Sequence, residues 1–278
     1  MLTGQRVIFS DNGTLVDYSR QLGDLFNQNV SLTVVAAEDK MFVGGDQPFN
    51  HRYVKVHTPN ANASVLSVDI WNGSAWVPAV DVLDGTSSGG KTFAQTGIIQ
   101  WTTDRTEGWN RQADSNDVTG LAGTRIYDMF WVRFSYSADT SAKQLAYMGH
   151  NFSDDNLLGG YYPDLVRSKL IASWESGKAD WVDQHILAAE ELIRDLRKRR
   201  YVVSGNQVFD WELFSVPAMH KCANIIMAGL GPDYVDRAIE AQEAYQNELE
   251  NTMAGLDRNR DGRLSLEERK PAVGLRRV

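Results

Sequence analysis

The chain has 278 residues, a net charge of −8 and a pI near 5.2, so its surface as a whole lacks the surplus of Lys and Arg that nonspecific nucleic-acid binding needs. One cysteine, Cys222, allows no intrachain disulfide and fits a reducing compartment. No charged segment followed by an apolar core opens the chain, and no unbroken apolar run nears the roughly 18 residues of a bilayer span, so a cytosolic, membrane-free life is expected.

Residues 1–163 read as β structure. Short runs rich in β-branched and aromatic residues recur at Val7–Phe9, Ser31–Ala36, Tyr53–Val56, Val65–Ile70, Ile98–Thr102, Asp128–Tyr136 and Gln144–Gly149. Asn72-Gly73 lies between two such runs and predicts a tight hairpin, because both central residues of that turn need positive φ. Phe130, Val132, Phe134 and Tyr136 alternate with Met129, Trp131, Arg133 and Ser135, which places one apolar face toward a core. Several strands without intervening helices imply an antiparallel β-sandwich or jelly-roll-like domain. With helices following it, the fold class is α+β, multidomain.

Residues 164–256 carry helical spacing. Val182, Ile186, Ala189, Ile193 and Leu196 form a buried stripe in a helix over Asp180–Arg200. Asp210 or Ser215 caps a second helix reaching Leu230, with Pro217 tolerated in its first turn. A long final helix over Asp233–Leu256 turns Val235, Ile239, Tyr245, Leu249 and Met253 inward. Residues 269–278 form a tail carrying Arg276 and Arg277.

The sharpest chemical signature is D-R-N-R-D-G-R-L-S-L-E-E, residues 257–268. It fits an EF-hand-like calcium loop. Asp257, Asn259 and Asp261 stand at positions one, three and five, and Gly262 turns the chain at six. The Arg263 carbonyl falls at seven, Ser265 at nine, and Glu268 can bind bidentately at twelve. A hard cation such as Ca2+ wants such a ring of oxygens. Pro271 follows closely and no second loop is visible, so a static clip is expected rather than a sensor.

Catalytic signatures are absent from the sequence. The five histidines make no zinc-hydrolase pair, and there is no nucleophile elbow, Walker loop or dinucleotide fingerprint. The chain is therefore not expected to be an enzyme. Two surface readings remain. Trp71, Trp76 and Trp109 could offer aromatic faces to a glycan or a partner, with Trp109 the best candidate for exposure inside a polar loop. Arg197, Lys198, Arg199 and Arg200 either satisfy a helix end or dock against an acidic neighbour or DNA phosphates, and Arg276 and Arg277 in the tail could likewise contact a partner or DNA.

The pattern I-L-A-A-E-E-L-I-R-D-L-R-K-R-R-Y (Ile186–Tyr201), the apolar helix at Ala218–Leu230 and the long helix from Asp233 resemble the head-to-tail adaptor proteins of tailed bacteriophages. The segments Y-V-K-V-H-T-P-N-A-N-A-S and W-N-G-S-A-W-V resemble a β-sandwich appended to phage structural proteins. The resemblance implies a homo-oligomeric ring, commonly twelvefold, in the neck of the virion and assembled in the host cytoplasm. It implies contacts to portal protein and to tail or stopper proteins, with DNA passing through without sequence-specific binding. The family core requires neither the β domain nor the calcium loop. A glycan-binding or tail-fibre attachment module using the sandwich is the alternative.

Overall fold

The computed structural model describes residues 4–102, 109–112, 118–124, 126, 128–252, 256–263 and 265–268. The chain is α+β, with two antiparallel sheets and, among the described residues, six α-helices. It divides into two compact units: Met1–Gly149 with Asn259–Arg263, and His150–Arg258 with Leu264–Val278.

The first unit runs through β1 (Gln5–Asp11), β2 (Thr14–Asp17), the one-turn helix α1 (Ser19–Leu22), β3 (Val30–Leu32), β4 (Lys40–Gly45) and β5 (His51–Thr58). It continues with β6 (Leu66–Trp71), β7 (Trp76–Pro78), β8 (Val80–Asp84), β9 (Gly97–Thr102), β10 (Phe130–Tyr136) and β11 (Lys143–Gly149). The six-stranded sheet has the order β2-β1-β4-β10-β6-β7, and the five-stranded sheet the order β3-β11-β5-β9-β8. Both contribute to one apolar core, through Val7, Met41, Val132 and Phe134 from the first and Val54, Ile99, Trp101 and Leu145 from the second. The alternation in β10 places Val132, Phe134 and Tyr136 in that core as its period requires. Its other face is only partly solvated. Trp131, with Met129 just before the strand, joins Ile8, Phe42, Trp71, Val118 and Leu121 in a second apolar cluster, whereas Arg133 and Ser135 stay partly exposed.

The tight turn expected at Asn72-Gly73 is a four-residue connection instead. Trp71 pairs with Trp76, and only Gly73 takes positive φ, at 100°. The Asn72 side chain accepts the backbone N–H groups of Ser74 and Ala75, and the Asn72 N–H donates to the Ala75 carbonyl at 3.1 Å, so side chain and backbone together close the turn.

The first and main segment of the β unit runs to Gly149, short of residue 163. Residues Asp155–Tyr161 form α2, started by Asp154, whose carboxylate accepts the Leu157 N–H. Gly159 and Gly160 obscure this helix in the sequence. The second unit then adds α3 (Ser168–Trp174), α4 (Val182–Lys198), α5 (Ser215–Leu230) and α6 (Val235–Asn251). Ser215 is the first residue of α5 rather than its cap, because a 3₁₀ turn at Trp211–Phe214 leads directly into it. The stretch Trp211–Leu230 has a mean hydropathy of 1.2, which is enough by length and composition to cross a membrane. Half of it is buried inside the protein, where Met219, Cys222, Ala223, Ile226 and Met227 form the middle of the helical core. Burial pushes the Cys222 thiol well above its ordinary range, which keeps it an inert packing group.

The inner face of α6 differs from the sequence expectation. Ala238, Ala241, Tyr245 and Leu249 are buried, whereas Val235 and Ile239 are 49% and 53% exposed. Alanines let α5 and α6 approach closely, so the larger apolar residues lie on the flank. Met253 lies outside the described residues.

Candidate metal centre

The chain enters the candidate loop under tight control. Leu256 makes an isolated antiparallel bridge with Val208. The Asp257 N–H donates to the Gln207 carbonyl at 2.9 Å, and Gln207 Nε2 donates back to the Asp257 carbonyl at 2.7 Å. Asp257 is thereby fixed with no solvent exposure. At the exit, Ser265 and Glu268 form a reciprocal capping box. Glu268 Oε2 accepts the Ser265 N–H and hydroxyl at 3.0 and 2.8 Å, and the Glu268 N–H returns to Ser265 Oγ at 3.3 Å. Glu268 Oε1 accepts the Arg258 N–H at 2.7 Å, which ties exit to entry.

The tip, Asn259–Arg263, is built from two successive Asx turns. Asn259 Oδ1 accepts the Asp261 N–H at 3.0 Å, and Asp261 Oδ1 accepts the Arg263 N–H at 2.9 Å. Arg260 and Gly262 take φ of 64° and 79°. Gly262 is required twice over, because a Cβ there would lie 2.5 Å from Trp109 Cδ1 and 3.1 Å from Pro48 Cβ. Every donor at the expected ligand positions is an oxygen, so the chemistry of the set fits a hard cation. Among the described residues, no three His, Cys, Asp or Glu side chains are gathered as a metal group. Here the Glu268 carboxylate and the Asp261 side chain serve backbone N–H groups. Leu264 lies outside the described residues.

The other sequence-predicted site residues scatter. Trp109 is not exposed. It is 8% accessible and packs in the β core, 5.3 Å from the Phe49 ring and 6.0 Å from Phe130. Its polar loop surroundings hid the fact that a large ring gains more by burial than by display. Trp71 is buried too, edge-on to Trp76 at 5.3 Å, and the half-buried Trp76 donates its indole N–H to the Thr119 carbonyl at 2.8 Å. These three indoles do not assemble an open stacking platform. Arg199 turns inward to Gln246 and to Glu250 at 3.7 Å, and Lys198 pairs with Asp195 at 3.4 Å. Arg197 and Arg200 project into solvent. Arg276 and Arg277 lie outside the described residues.

One constellation escaped the sequence reading. Ser153 Oγ lies 2.7 Å from His185 Nδ1, and His185 Nε2 lies 3.2 Å from Asp155 Oδ1. A carboxylate facing Nε2 fixes the proton there, so Nδ1 accepts from the Ser153 hydroxyl. These are the residue types of a nucleophilic relay, but access runs the wrong way round. The Ser153 and His185 residues are 9% and 1% exposed, whereas the Asp155 carboxyl side chain is 31% exposed. Asp155 Oδ2 also accepts the Trp181 N–H at 3.2 Å, so the trio fastens the start of α2 to the start of α4. The only sequence signal was Ser and Asp two apart before a helix, with the histidine thirty residues on.

No protein-family model matches the chain, and neither the curated proteins nor the solved structures give a match.

Proposed function

We propose that the chain is a structural subunit of a tailed-bacteriophage neck, a ring-forming head-to-tail adaptor that joins portal protein to tail or stopper proteins around the DNA channel. The observation that carries this reading is the helical unit. Its three main helices, α4, α5 and α6, fall on the segments that carry the adaptor resemblance, and α5 packs against both others. The acidic chain lets DNA pass without adhering to it. The role is one of assembly and not of catalysis. Native mass measurement of the chain mixed with portal protein is expected to give a ring of several copies on the portal. A chain that stays monomeric and unbound in that mixture overturns the reading.

The loop of residues 257–268 serves in this reading as a calcium clip, held by Asp257, Asn259, Asp261, the Arg263 carbonyl, Ser265 and Glu268. Support comes from the spacing of the oxygens, the positive φ at Gly262 and the fixed position of Asp257. Calcium would replace the N–H donors that the acidic side chains now serve. A chelator is expected to lower the melting temperature of protein prepared with calcium, and Asp257→Ala to remove that sensitivity. Identical melting curves with and without chelator would sink the calcium assignment alone.

A further inference from the structure

The helical unit carries two surface patches of opposite charge, each with exposed apolar side chains beside it. On α6, Asp236, Glu240 and Glu243 recur at four and three residues along the outer face, flanked by the exposed Val235 and Ile239. None of the three acids has an ion pair among the described residues. At the end of α4, Arg197 and Arg200 are exposed without a carboxylate partner among the described residues, and Tyr201 and Val203 beside them are 41% and 45% exposed. Lone exposed hydrophobes are ordinary, but paired ones set against unneutralised charge make a face suited to being covered.

One copy does not satisfy both patches by itself. Arg199, at the same end of α4, already reaches Gln246 and Glu250 in the last part of α6. From Glu250 back to Glu243 and Asp236 the helix rises by about 10 and 20 Å, at 1.5 Å per residue. The cations are therefore held at the wrong end of α6 to meet these acids. We propose that the occupant of each patch is a second copy of this chain, the Arg197/Arg200 face of one seating on the Asp236/Glu240/Glu243 face of the next. The two faces differ, so the contact is heterologous. Repetition of it runs head to tail and closes into a ring when the rotation allows. The inference rests on the neck reading and supplies its seam.

The test is sedimentation velocity of the full chain over a range of concentration, at low and at high salt. Wild type is expected to associate at low salt and to dissociate as salt screens the faces. Glu240→Lys with Glu243→Lys gives a chain with two basic faces, and Arg197→Glu with Arg200→Glu a chain with two acidic ones. Each double variant alone is expected to associate at least about tenfold more weakly. Mixing the two in equal amounts is expected to restore assembly, which a merely destabilised variant would not do. Melting curves matching wild type check that the exposed substitutions leave the fold intact. A wild type that stays monomeric at low salt overturns the proposal, even if it still binds portal protein and so leaves the neck reading standing. Association indifferent to both swaps also overturns it and moves the seam elsewhere.

Discussion

Lys143→Met is expected to stabilise the β unit by about 2 kcal/mol at pH 7, of the order found when buried ion pairs are exchanged for well-packed hydrophobes. Lys143 sits in β11 with 1% of its surface exposed. Its ammonium carries three donors. Among the described residues its one hydrogen bond runs to Thr140 Oγ1 at 2.7 Å, and the rings of Phe93 and Tyr136 lie 5.7 and 5.9 Å away. Burial pushes its pKa down from 10.5 to about 8, against a weaker upward pull from Asp39. Methionine keeps the apolar stem and removes the desolvated charge, and Thr140 Oγ1 still accepts the Val34 N–H at 3.1 Å. The sign with pH follows. The folded chain releases the Lys143 proton near pH 8, whereas the unfolded chain keeps it to about 10.5, so wild-type stability rises between those values. Burial raises the Tyr136 phenol above its ordinary value of 10.0, and this group opposes the rise from there upward. Chemical denaturation of both proteins from pH 7 to 10 should show the gap narrowing as wild type gains stability. A constant gap would mean that Lys143 is not the group titrating.

How much of this was legible depended on whether a side chain's role was set by its neighbours in sequence. The two-residue period of Phe130–Tyr136 placed Val132, Phe134 and Tyr136 correctly in the core, and four of the five stripe residues of α4 (Ile186, Ala189, Ile193 and Leu196) are buried, because each repeat lies within one element. Phe130 and Val182 are only half-buried, and Trp131 is buried on the opposite face of β10. Strand β4 was missed. Gly44 and Gly45 end it and carry no strand signal, yet a Cβ at either would come within 3 Å of the Trp131 or Phe49 ring. The reason for those glycines lies on other elements, and no local pattern expresses it. The α6 face was read correctly at Tyr245 and Leu249 but misassigned at Val235 and Ile239, with Ala238 and Ala241 overlooked, since alanine is a core residue only where a partner helix comes close. In the candidate loop the oxygen spacing was legible, and so was S-x-x-E as a capping box, although only the metal reading was drawn from it. The relay of Ser153, Asp155 and His185 and the clamp on Asp257 both join residues at least thirty apart. Such pairs become visible only once the chain has folded.

That clamp gives the other large expected effect. Gln207→Leu should destabilise the helical unit by about 3–5 kcal/mol, the sum of several buried groups losing partners at roughly 1–3 kcal/mol each. Gln207 is 1% exposed. Its Oε1 accepts the Val203 N–H at 2.7 Å and the Ser204 N–H at 3.3 Å, and its Nε2 donates to the Asp257 carbonyl at 2.7 Å. Leucine fills similar volume but serves none of the three. Gln207→Glu separates the two ends of the amide. It keeps the acceptor for Val203 and Ser204 but sets a carboxylate oxygen against the Asp257 carbonyl, so two acceptors face each other in a buried site. Thermal melting should therefore rank wild type above both variants. Because Gln207 positions the first residue of the loop, any stabilisation by calcium should also shrink in both. A Gln207→Leu protein as stable as wild type would mean that the turn at Ser204–Gln207 and the entry to the loop are held by other contacts, and that the fixed position of Asp257 does not depend on this side chain.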